Sequence, residues 1–382
     1  MKRFLSLVFG WLMLVSATAE TPQWRPAQID RLLVWLDSAA DDALAPVATE
    51  APKVRAAQAA GDAAQLDIVA TAAAIRLLRA ELQGCCDAAT RAGWKIANAA
   101  AYGDPGAKVA NAVAGDRIDA LFTEARPSTP FYAALRDAYT RETDPARKST
   151  LAANMDRWRW MPRALSHRYL LVNQAAFEAT LWDDNVVVGR WRVIVGKTKS
   201  PTPIFQAMVT GVTFNPWWEI PSSIVAESVG KMMRSHPGQA AKKGYVIQNG
   251  RYRQRPGPDN SLGRMKLVMP NPYNVYLHDT PAQSLFAKNV RTFSHGCIRV
   301  GEALDLATTL LAPLPGWDRA RSDEMVAAGE TVTVPIAAAI PVYVTYFTAE
   351  PDGVGGIRFF PDVYHRDHAP PLTPDADTSC KA

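Results

Sequence analysis

The chain has 382 residues, of which 48% are hydrophobic, and its formal net charge is +5. This length allows two modest domains, and the hydrophobic content is that of an ordinary globular protein, so burying a core is no obstacle. The 42 basic residues barely outnumber the 37 acidic ones and form no run, so no nucleic-acid partner is expected.

Residues 1–19 have the pattern of a secretory leader. Lys2 and Arg3 precede an apolar run over 4–15 that is too short for an ordinary membrane span, and small residues suited to cleavage follow at 17–19. We therefore expect the leader to be removed and the mature chain to be periplasmic, with an uncleaved N-terminal anchor as the alternative. No later stretch is apolar enough to cross a bilayer, so an integral membrane protein is not expected.

Residues 20–163 are predicted to form a helical scaffold domain. Apolar residues at 29, 32, 33 and 36 recur with the spacing of one helix face. Further helices are predicted over residues 66–82, 131–139 and 151–160. This half contains no phosphate-binding loop and no His cluster, so no chemistry is assigned to it.

Residues 164–367 are predicted to form a mostly antiparallel, β-rich domain, which makes the chain an α+β protein. Runs of β-branched and aromatic residues separated by turn residues begin near Arg168. The candidate strands are residues 169–172, 177–181, 186–188, 191–195, 331–334 and 342–346, with a helix over 302–311. Residues 368–382, rich in Pro and Asp, are predicted to be a tail.

A lid-like segment over residues 222–264 is predicted to be inserted into the β-rich domain. Its first part, 222–236, has a helical pattern, and the polar remainder is predicted to be a loop. A loop of this length inside a compact domain is usually functional or disordered. Trp217 and Trp218 precede the segment and are either core residues or one wall of a substrate groove.

The stretch from Leu277 to Val300 carries the strongest chemical signal. His278 ends an apolar run, and Ser294, His295, Gly296 and Cys297 begin sixteen positions later. A neighbouring imidazole is the usual means of turning a thiol into a nucleophilic thiolate, so the pattern predicts a lowered pKa for Cys297. Gly296 permits a tight turn whose backbone N–H groups can stabilise an oxyanion.

Three other interpretations of this stretch are open. Cys297 can be an inert buried thiol, because free Cys packs readily as a small hydrophobe. His278, His295 and Cys297 can be zinc ligands, although their spacing is unusual and a fourth ligand is not evident. In an exported chain, Cys297 can also be half of a disulfide.

Several segments around this stretch carry a shared signature. They are residues 192–197 (RVIVGK), 202–205 (TPIF), 215–221 (NPWWEIP), 256–263 (PGPDNSLG), 276–281 (YLHDTP) and 294–300 (SHGCIRV). Together they resemble the YkuD-type L,D-transpeptidases, and in particular the large Gram-negative branch of that family. The resemblance covers residues 150–370 and, more weakly, the helices before them. Arg299 stands where some members of the family have Asn.

The resemblance implies a role for each residue of the motif. Cys297 would be the nucleophile and His278 its base, oriented by the backbone carbonyl of Asp279 or, alternatively, by the Asp279 carboxylate. The backbone N–H groups of His295, Gly296 and Cys297 would form the oxyanion hole. The implied substrate-binding side chains are Ser294, Arg299, Trp217, Trp218 and Tyr276. A structural ion pair is the alternative role for Arg299.

The reaction that the resemblance implies is acyl transfer between peptidoglycan stem peptides, which serve as donor and acceptor. It would proceed through a thioester on Cys297 without a metal or other cofactor, and carbapenems would acylate the same thiol. One alternative is hydrolysis, as an L,D-carboxypeptidase or endopeptidase, with the same residues. Another is a catalytically idle scaffold that binds the wall. The acceptor amine and the oligomeric state stay open.

The other cysteines bear on the compartment rather than on catalysis. Cys85 and Cys86 are adjacent, and a bridge between them would be strained. In an oxidising compartment one of them can pair with Cys380, while Cys297 must stay free to act as a nucleophile.

Overall fold

The structure, a computed structural model, describes residues 21–84, 91, 93–98 and 103–367. The predicted leader over 1–19, the pairing of Cys85 or Cys86 with Cys380, and the tail over 368–382 lie outside the described residues.

The N-terminal part of the described chain is helical, as predicted. Its helices are α1 (Pro26–Ser38), α2 (Ala45–Ala48), α3 (Glu50–Ala60), α4 (Ala63–Gln83), α5 (Pro105–Ala114), α6 (Ile118–Ala125), α7 (Pro130–Arg141) and α8 (Pro145–Arg159). Acidic side chains begin several of them, because a carboxylate can accept a hydrogen bond from a free N–H of the first turn. Asp62 accepts from the Gln65 N–H, and Asp144 accepts from the Arg147 N–H.

The C-terminal part is β-rich, and one strand reaches it from the helical part. The strands are β1 (Trp94–Lys95), β2 (Arg168–Asn173), β3 (Glu178–Asp183), β4 (Val186–Gly196), β5 (Ile204–Phe214), β6 (Trp218–Glu219), β7 (Tyr245–Gln248), β8 (Arg251–Gln254), β9 (Met265–Val268), β10 (Leu277–His278), β11 (Thr292–Ser294), β12 (Ile298–Val300), β13 (Val332–Thr345), β14 (Ala349–Pro351) and β15 (Ile357–Phe359). β1 pairs in parallel with β5, so the helical part is joined to the sheet by hydrogen bonds as well as by packing.

The main sheet closes on itself. Its neighbours run in the order β5, β13, β2, β3, β4, β12, β10 and β9, and β9 pairs again with β5. Most pairs are antiparallel, as predicted, whereas β10–β12 and β13–β2 are parallel. The enclosed side chains form one core, onto which helix α12 (Ala303–Leu311) packs Leu304, Leu306 and Leu310. Closure leaves the outward side of β10 and β12 to carry polar groups.

The lid-like segment is more ordered in secondary structure than the sequence predicted. It contains α9 (Ser222–Ile224), a π-helical turn (Val225–Val229), α10 (Gly230–Ser235) and α11 (Pro237–Lys242). The predicted polar loop is wrong over 245–254, where β7 and β8 form a hairpin that β6 extends to three strands. Asn249 and Gly250 both have positive φ at its tip, which is the signal of a two-residue hairpin turn.

A second correction concerns the last strand of the barrel in sequence order. The two strands predicted at 331–334 and 342–346 are one long strand, β13, whose register against β5 shifts between Pro335 and Ile340. The irregularity lies between the two predicted strands. Helix α13 (Arg319–Ala327), which was not predicted, precedes this strand. Within the described ranges, no helix combines the length and apolar character needed to cross a membrane.

Candidate active site

Two short parallel strands set the geometry of the site. Leu277 of β10 lies opposite Ile298 of β12, and His278 lies opposite Arg299. Leu277 and Ile298 are fully buried in the barrel core. Because side chains alternate along a strand, the residues flanking these two point to the other face. That face carries Tyr276, His278, Cys297 and Arg299. We call it the catalytic face, because it holds the candidate nucleophile.

A tight turn presents Cys297 at the start of β12. Gly296 has a φ of 119°, a conformation that favours glycine. Ser294 Oγ donates to the Cys297 carbonyl at 2.5 Å and accepts from the Gly296 N–H at 3.1 Å. Thr202 Oγ1 accepts from the Gly196 N–H and donates to the Gly296 carbonyl at 2.8 Å. The upstream motif at 202–205 therefore fixes the turn that carries the thiol.

These contacts change the expected roles of two residues. Ser294 is 2% exposed and its hydroxyl is engaged on both sides, so it shapes the turn instead of lining a substrate groove. The Gly296 N–H donates to Ser294 and is not free to hold an oxyanion. The Cys297 N–H has no acceptor within the described part of the chain, which leaves it as the backbone donor nearest the thiol.

The imidazole of His278 is oriented by a backbone carbonyl. Its Nδ1 donates to the Asp279 carbonyl at 2.5 Å, which leaves Nε2 unprotonated and able to act as a base. The Asp279 carboxylate is engaged elsewhere, because its Oδ2 accepts from the Arg264 backbone N–H at 2.9 Å and from Arg264 Nε at 2.8 Å. Of the two orienting groups that the sequence left open, the carbonyl makes the contact.

Glycine is required next to this carboxylate. Gly263 has a φ of 62°, and a Cβ built there would lie 2.6 Å from Asp279 Oδ2. The neighbouring Asn260 holds the same loop, since its amide donates to the Pro216 carbonyl and its oxygen accepts from the Leu262 N–H. The motif at 256–263 thus makes room for Asp279, the residue whose backbone carbonyl orients His278.

The thiol and the imidazole are both held in their neutral forms. Burial lowers the pKa of His278 to about 4, and the neighbouring Arg299 guanidinium acts in the same direction. Burial also raises the pKa of the Cys297 thiol, against hydrogen bonds from Tyr276 that lower it. The lowered pKa predicted for Cys297 is therefore wrong for the free protein.

Tyr276 lies beside the thiol, and hydrogen bonding from its hydroxyl and its backbone N–H acts to lower the pKa of Cys297. On the other side, Sγ lies 3.8 Å from the Asn274 carbonyl. Burial raises the pKa of Tyr276 well above its ordinary value, so the phenol stays protonated and can donate. The resemblance implied substrate binding for Tyr276, whereas these contacts place its side chain beside the Cys297 sulfur.

Two cations flank the thiol. Arg299 and Lys266 both act electrostatically on Cys297, and burial lowers the pKa of each. Within the described chain no carboxylate forms a salt bridge with Arg299, so the structural ion pair considered for it is not observed. Lys266, which lies opposite His278 in β9, was missed because it occurs in an ordinary alternating strand. Only the pairing of β9 with β10 brings it to the site.

The side chain of His295 is directed toward the lid-like segment. Its Nε2 lies 2.9 Å from Oε2 of Glu227, in the π-helical turn, and 3.4 Å from Lys197 Nζ. The nitrogen can donate to the carboxylate or accept from the ammonium, but one nitrogen cannot do both. Glu227 was not identified from the sequence, and Lys197 was noted only as the last residue of the motif at 192–197. Nothing in the sequence marks a contact across such separations.

The two tryptophans have different environments. Trp218 is 8% exposed and packs with Ile220, Val229 and Leu262 in a small core under the lid-like segment. Trp217 is half-buried, with the Arg253 guanidinium 4.5 Å from its ring centre. Core packing therefore describes Trp218, and Tyr276 packs against the same small core.

Metal ligation was the remaining interpretation of the motif. Among the residues that the structure describes, no three His, Cys, Asp or Glu side chains are grouped so that they could hold a metal ion. Cys297 is a free thiol.

Comparison with sequence families supports the resemblance. Residues 167–334 match the YkuD family, described as an L,D-transpeptidase catalytic domain, and residues 17–138 match a Scaffold domain. A Haemophilus influenzae protein, whose name assigns it provisionally to the L,D-transpeptidases, is 31% identical over 238 residues. The match covers 57% of this chain and 48% of the relative, so the chain spans about half the length of that relative.

Solved structures of L,D-transpeptidases show a low overall similarity. An L,D-transpeptidase from Mycobacterium smegmatis is 14% identical, with a TM-score of 0.27 over 47% of this chain and 58% of that chain. L,D-transpeptidase 3 from Mycobacterium tuberculosis, solved in complex with a faropenem-derived adduct, is 15% identical. Its TM-score is 0.25, over 47% of this chain and 61% of that chain.

Proposed function

Because the chain carries a YkuD-type L,D-transpeptidase catalytic domain after a Scaffold domain, we propose that it cross-links peptidoglycan stem peptides through a thioester on Cys297. The compartment proposed for this activity is the periplasm, as the leader pattern at 1–19 predicts. The observation that carries the proposal is one outward face that combines a thiol, an oriented imidazole, a phenol and two cations.

The first half of the reaction forms the acyl-enzyme. The Cys297 sulfur attacks the carbonyl carbon at the L-centre of the donor stem while His278 Nε2 takes the thiol proton. The C–N bond then breaks, the imidazolium gives its proton to the leaving D-Ala amine, and a thioester stays on Cys297. The Tyr276 hydroxyl and the Cys297 N–H are the donors available to the developing negative charge.

The second half returns the free enzyme. An amine of the acceptor stem attacks the thioester carbonyl and passes a proton to His278, the C–S bond breaks, and the thiolate recovers the proton. Because one amide replaces another, no cofactor or ATP enters this scheme.

The two cations suit the substrate's charge. A donor stem ends in a D-Ala carboxylate, and the Arg299 guanidinium can bind a carboxylate through two parallel hydrogen bonds. Lys266 adds a second positive charge near the same thiol. Partial burial of both groups strengthens the attraction relative to that at an exposed surface. We assign Arg299 and Lys266 to the recognition of substrate carboxylates.

The test is mass spectrometry of muropeptides incubated with the purified protein. We expect cross-linked dimers with loss of D-Ala from the wild type and none from Cys297→Ala, together with an acyl adduct on the intact protein when the acceptor is absent. Circular dichroism of Cys297→Ala provides the control for folding. Tripeptides without dimers would instead identify a carboxypeptidase, and an unreactive but accessible thiol would identify an idle scaffold.

Carbapenems provide a second readout of the same nucleophile. The β-lactam carbonyl would occupy the position of the scissile carbonyl, and ring opening would leave an acyl adduct on Cys297. We expect one adduct per chain by intact mass and none on Cys297→Ala. An active enzyme that gains no such adduct would contradict this part of the proposal.

A further inference from the structure

A cavity lies where the helical part meets the outer surface of the barrel. Its volume is about 790 Å³, within the range of ligand sites. The start of α7, the strands β2 and β3, and the β14–β15 hairpin enclose it. None of Tyr276, His278, Cys297 and Arg299 lines this cavity, so it is separate from the catalytic face.

One wall of the cavity is aromatic. The rings of Tyr169 and Trp182 are stacked, with centres 6.0 Å apart and planes 5° apart. Phe131 meets Trp182 edge-on at 5.3 Å, and it comes from helix α7. The helical part and the barrel therefore build this wall together. Tyr169 is only 3% exposed, so the half-buried Phe131 and Trp182 are the rings that a ligand can reach.

The opposite side carries charges that compensate one another. Arg358 Nη2 lies 3.5 Å from Glu350 Oε2 and 3.7 Å from Glu178 Oε2, both longer than a hydrogen bond. Arg190 forms an ion pair with Glu178, and Asn173 donates to Glu350 Oε1 at 2.7 Å. Glu350 is 8% exposed, so a polar group deep in the cavity keeps one oxygen loosely partnered.

We propose that this cavity binds a saccharide chain, with the glycan strand of peptidoglycan as its natural source. A pyranose ring has apolar faces that stack on aromatic rings, and its hydroxyls both donate and accept hydrogen bonds. Hydroxyl groups suit the loosely spaced Glu178, Arg358 and Glu350, because each can bridge a guanidinium and a carboxylate. The compensated charges favour a neutral ligand over an acidic or basic peptide. The choice of glycan rests on the proposed function, whereas saccharide binding does not.

The experiment titrates two oligosaccharides into the purified full chain by calorimetry. The probes are chitotetraose, which is neutral, and glycan strands stripped of their stem peptides. We expect both to bind the wild type, and we expect Trp182→Ala and Arg358→Ala each to weaken binding by about tenfold, as loss of one aromatic or charged contact typically does. Arg321→Ala, at an exposed arginine of α13, is the matched control and should bind normally.

Further measurements distinguish this cavity from the site around Cys297. Cys297→Ala should bind both probes like the wild type, because the thiol is not part of the cavity, whatever its effect on cross-linking. Trp182→Ala removes a ring that packs against Phe131 and Tyr169 and should lower the melting temperature. Should it fail to fold, Arg358→Ala, a substitution at the rim, carries the test. The proposal is overturned by a wild type that binds neither probe, or by both variants binding normally. Competition by a free stem peptide for the same site would also overturn it, in favour of a peptide site.

Discussion

The helical part and the catalytic face both bury polar groups, but only the helical part supplies each buried arginine with close partners. Arg159 is fully buried, and it donates to Asp156 at 2.7 Å and to the Tyr132 hydroxyl at 2.6 Å. Asp42, equally buried, accepts hydrogen bonds from Arg126, Arg136 and Tyr132. These contacts tie α7 and α8 to the chain that follows α1.

On the catalytic face, Arg299 has no carboxylate partner among the described residues. The helical part is not fully satisfied either, because Arg159 Nε and both carboxylate oxygens of Glu81 are buried without a hydrogen-bond partner. Its buried arginine nevertheless pairs with an internal carboxylate, Asp156, and the cluster stabilises the fold. On the catalytic face, by our proposal, the substrate provides the missing partners.

Removing the imidazole should have the largest effect on activity and little effect on folding. A general base contributes about 10²- to 10⁴-fold in rate, so His278→Gln should lower turnover of a tetrapeptide by that order. Wild-type activity should decline as the pH falls toward 4, because protonated His278 cannot accept the thiol proton. His295→Gln is the matched control. A larger loss for His295→Gln than for His278→Gln would show that the base is misassigned.

Replacing Arg159 in the helical part should lower stability and leave activity unchanged. Arg159→Met removes the guanidinium that pairs with Asp156 and donates to the Asp42 backbone carbonyl, and breaking a buried ion pair from one side typically costs about 3–5 kcal/mol of unfolding free energy. The turnover per folded molecule should be unchanged, since no contact links Arg159 to the thiol. Urea unfolding measures the loss, and Arg141→Met, at an exposed pair with Asp137, should change stability by less than about 1 kcal/mol.

His278 and Glu81 should contribute to the pH dependence of stability with opposite signs. The pKa of His278 is about 4 in the fold and about 6.5 when unfolded, so protons favour the unfolded chain as the pH falls through that window. Burial raises the pKa of Glu81, in the helical part, to about 7, so its effect is a loss of stability as the pH rises from 4.5 to 7. Each effect amounts to about 3 kcal/mol.

Two single variants should separate the contributions of Glu81 and His278 to the pH dependence of stability. Between pH 4.5 and 6.5 the two effects oppose each other in the wild type. Glu350, whose pKa burial also raises to about 7, contributes in every variant with the same sign as Glu81. Over this window the free energy of unfolding should therefore change more positively with pH in Glu81→Gln than in the wild type, and more negatively in His278→Gln. Urea titrations at three pH values measure both slopes. Equal slopes in the two variants would mean that these residues do not govern the pH response.

The smallest effect should come from the contact between the lid-like segment and His295. Glu227→Gln keeps the shape of the side chain but removes the charge that pairs with His295. An exposed ion pair contributes about 0.2–1 kcal/mol, so amide exchange over 222–242 should quicken by no more than about fivefold. Glu324→Gln on α13, paired with Arg321, provides the control. Unchanged exchange in Glu227→Gln would show that the pair does not hold the segment.

The sequence predicted the fold class and the helical part because their signals are local. Apolar periodicity marked α1, α4, α7 and α8, and the spacing from His278 to Cys297 marked the motif. The β7–β8 hairpin was missed although Asn249–Gly250 is a turn signal, because the polar surroundings suggested a loop. Its pairing partner β6 has only two residues, too few for a recognisable pattern.

The rest of the site depends on pairing between distant segments. Lys266 faces the thiol only because β9 lies beside β10, and Glu227 reaches His295 only through the path of the lid-like segment. The direction of the Cys297 pKa was predicted wrongly because a motif shows which groups are neighbours, whereas burial decides which charge state is favoured. Contacts of this kind become visible only in three dimensions.

The position of β13 has a consequence for how the chain folds. This strand, near the C-terminal end of the described chain, inserts between β5 and β2, which precede it by more than about a hundred residues. Contacts between such distant segments form slowly, because a long loop must close before they gain any stabilisation. Until β13 arrives, β5 and β2 have open edges that can pair with other chains. During synthesis or refolding, the barrel should therefore be the last part to form and the most exposed to aggregation.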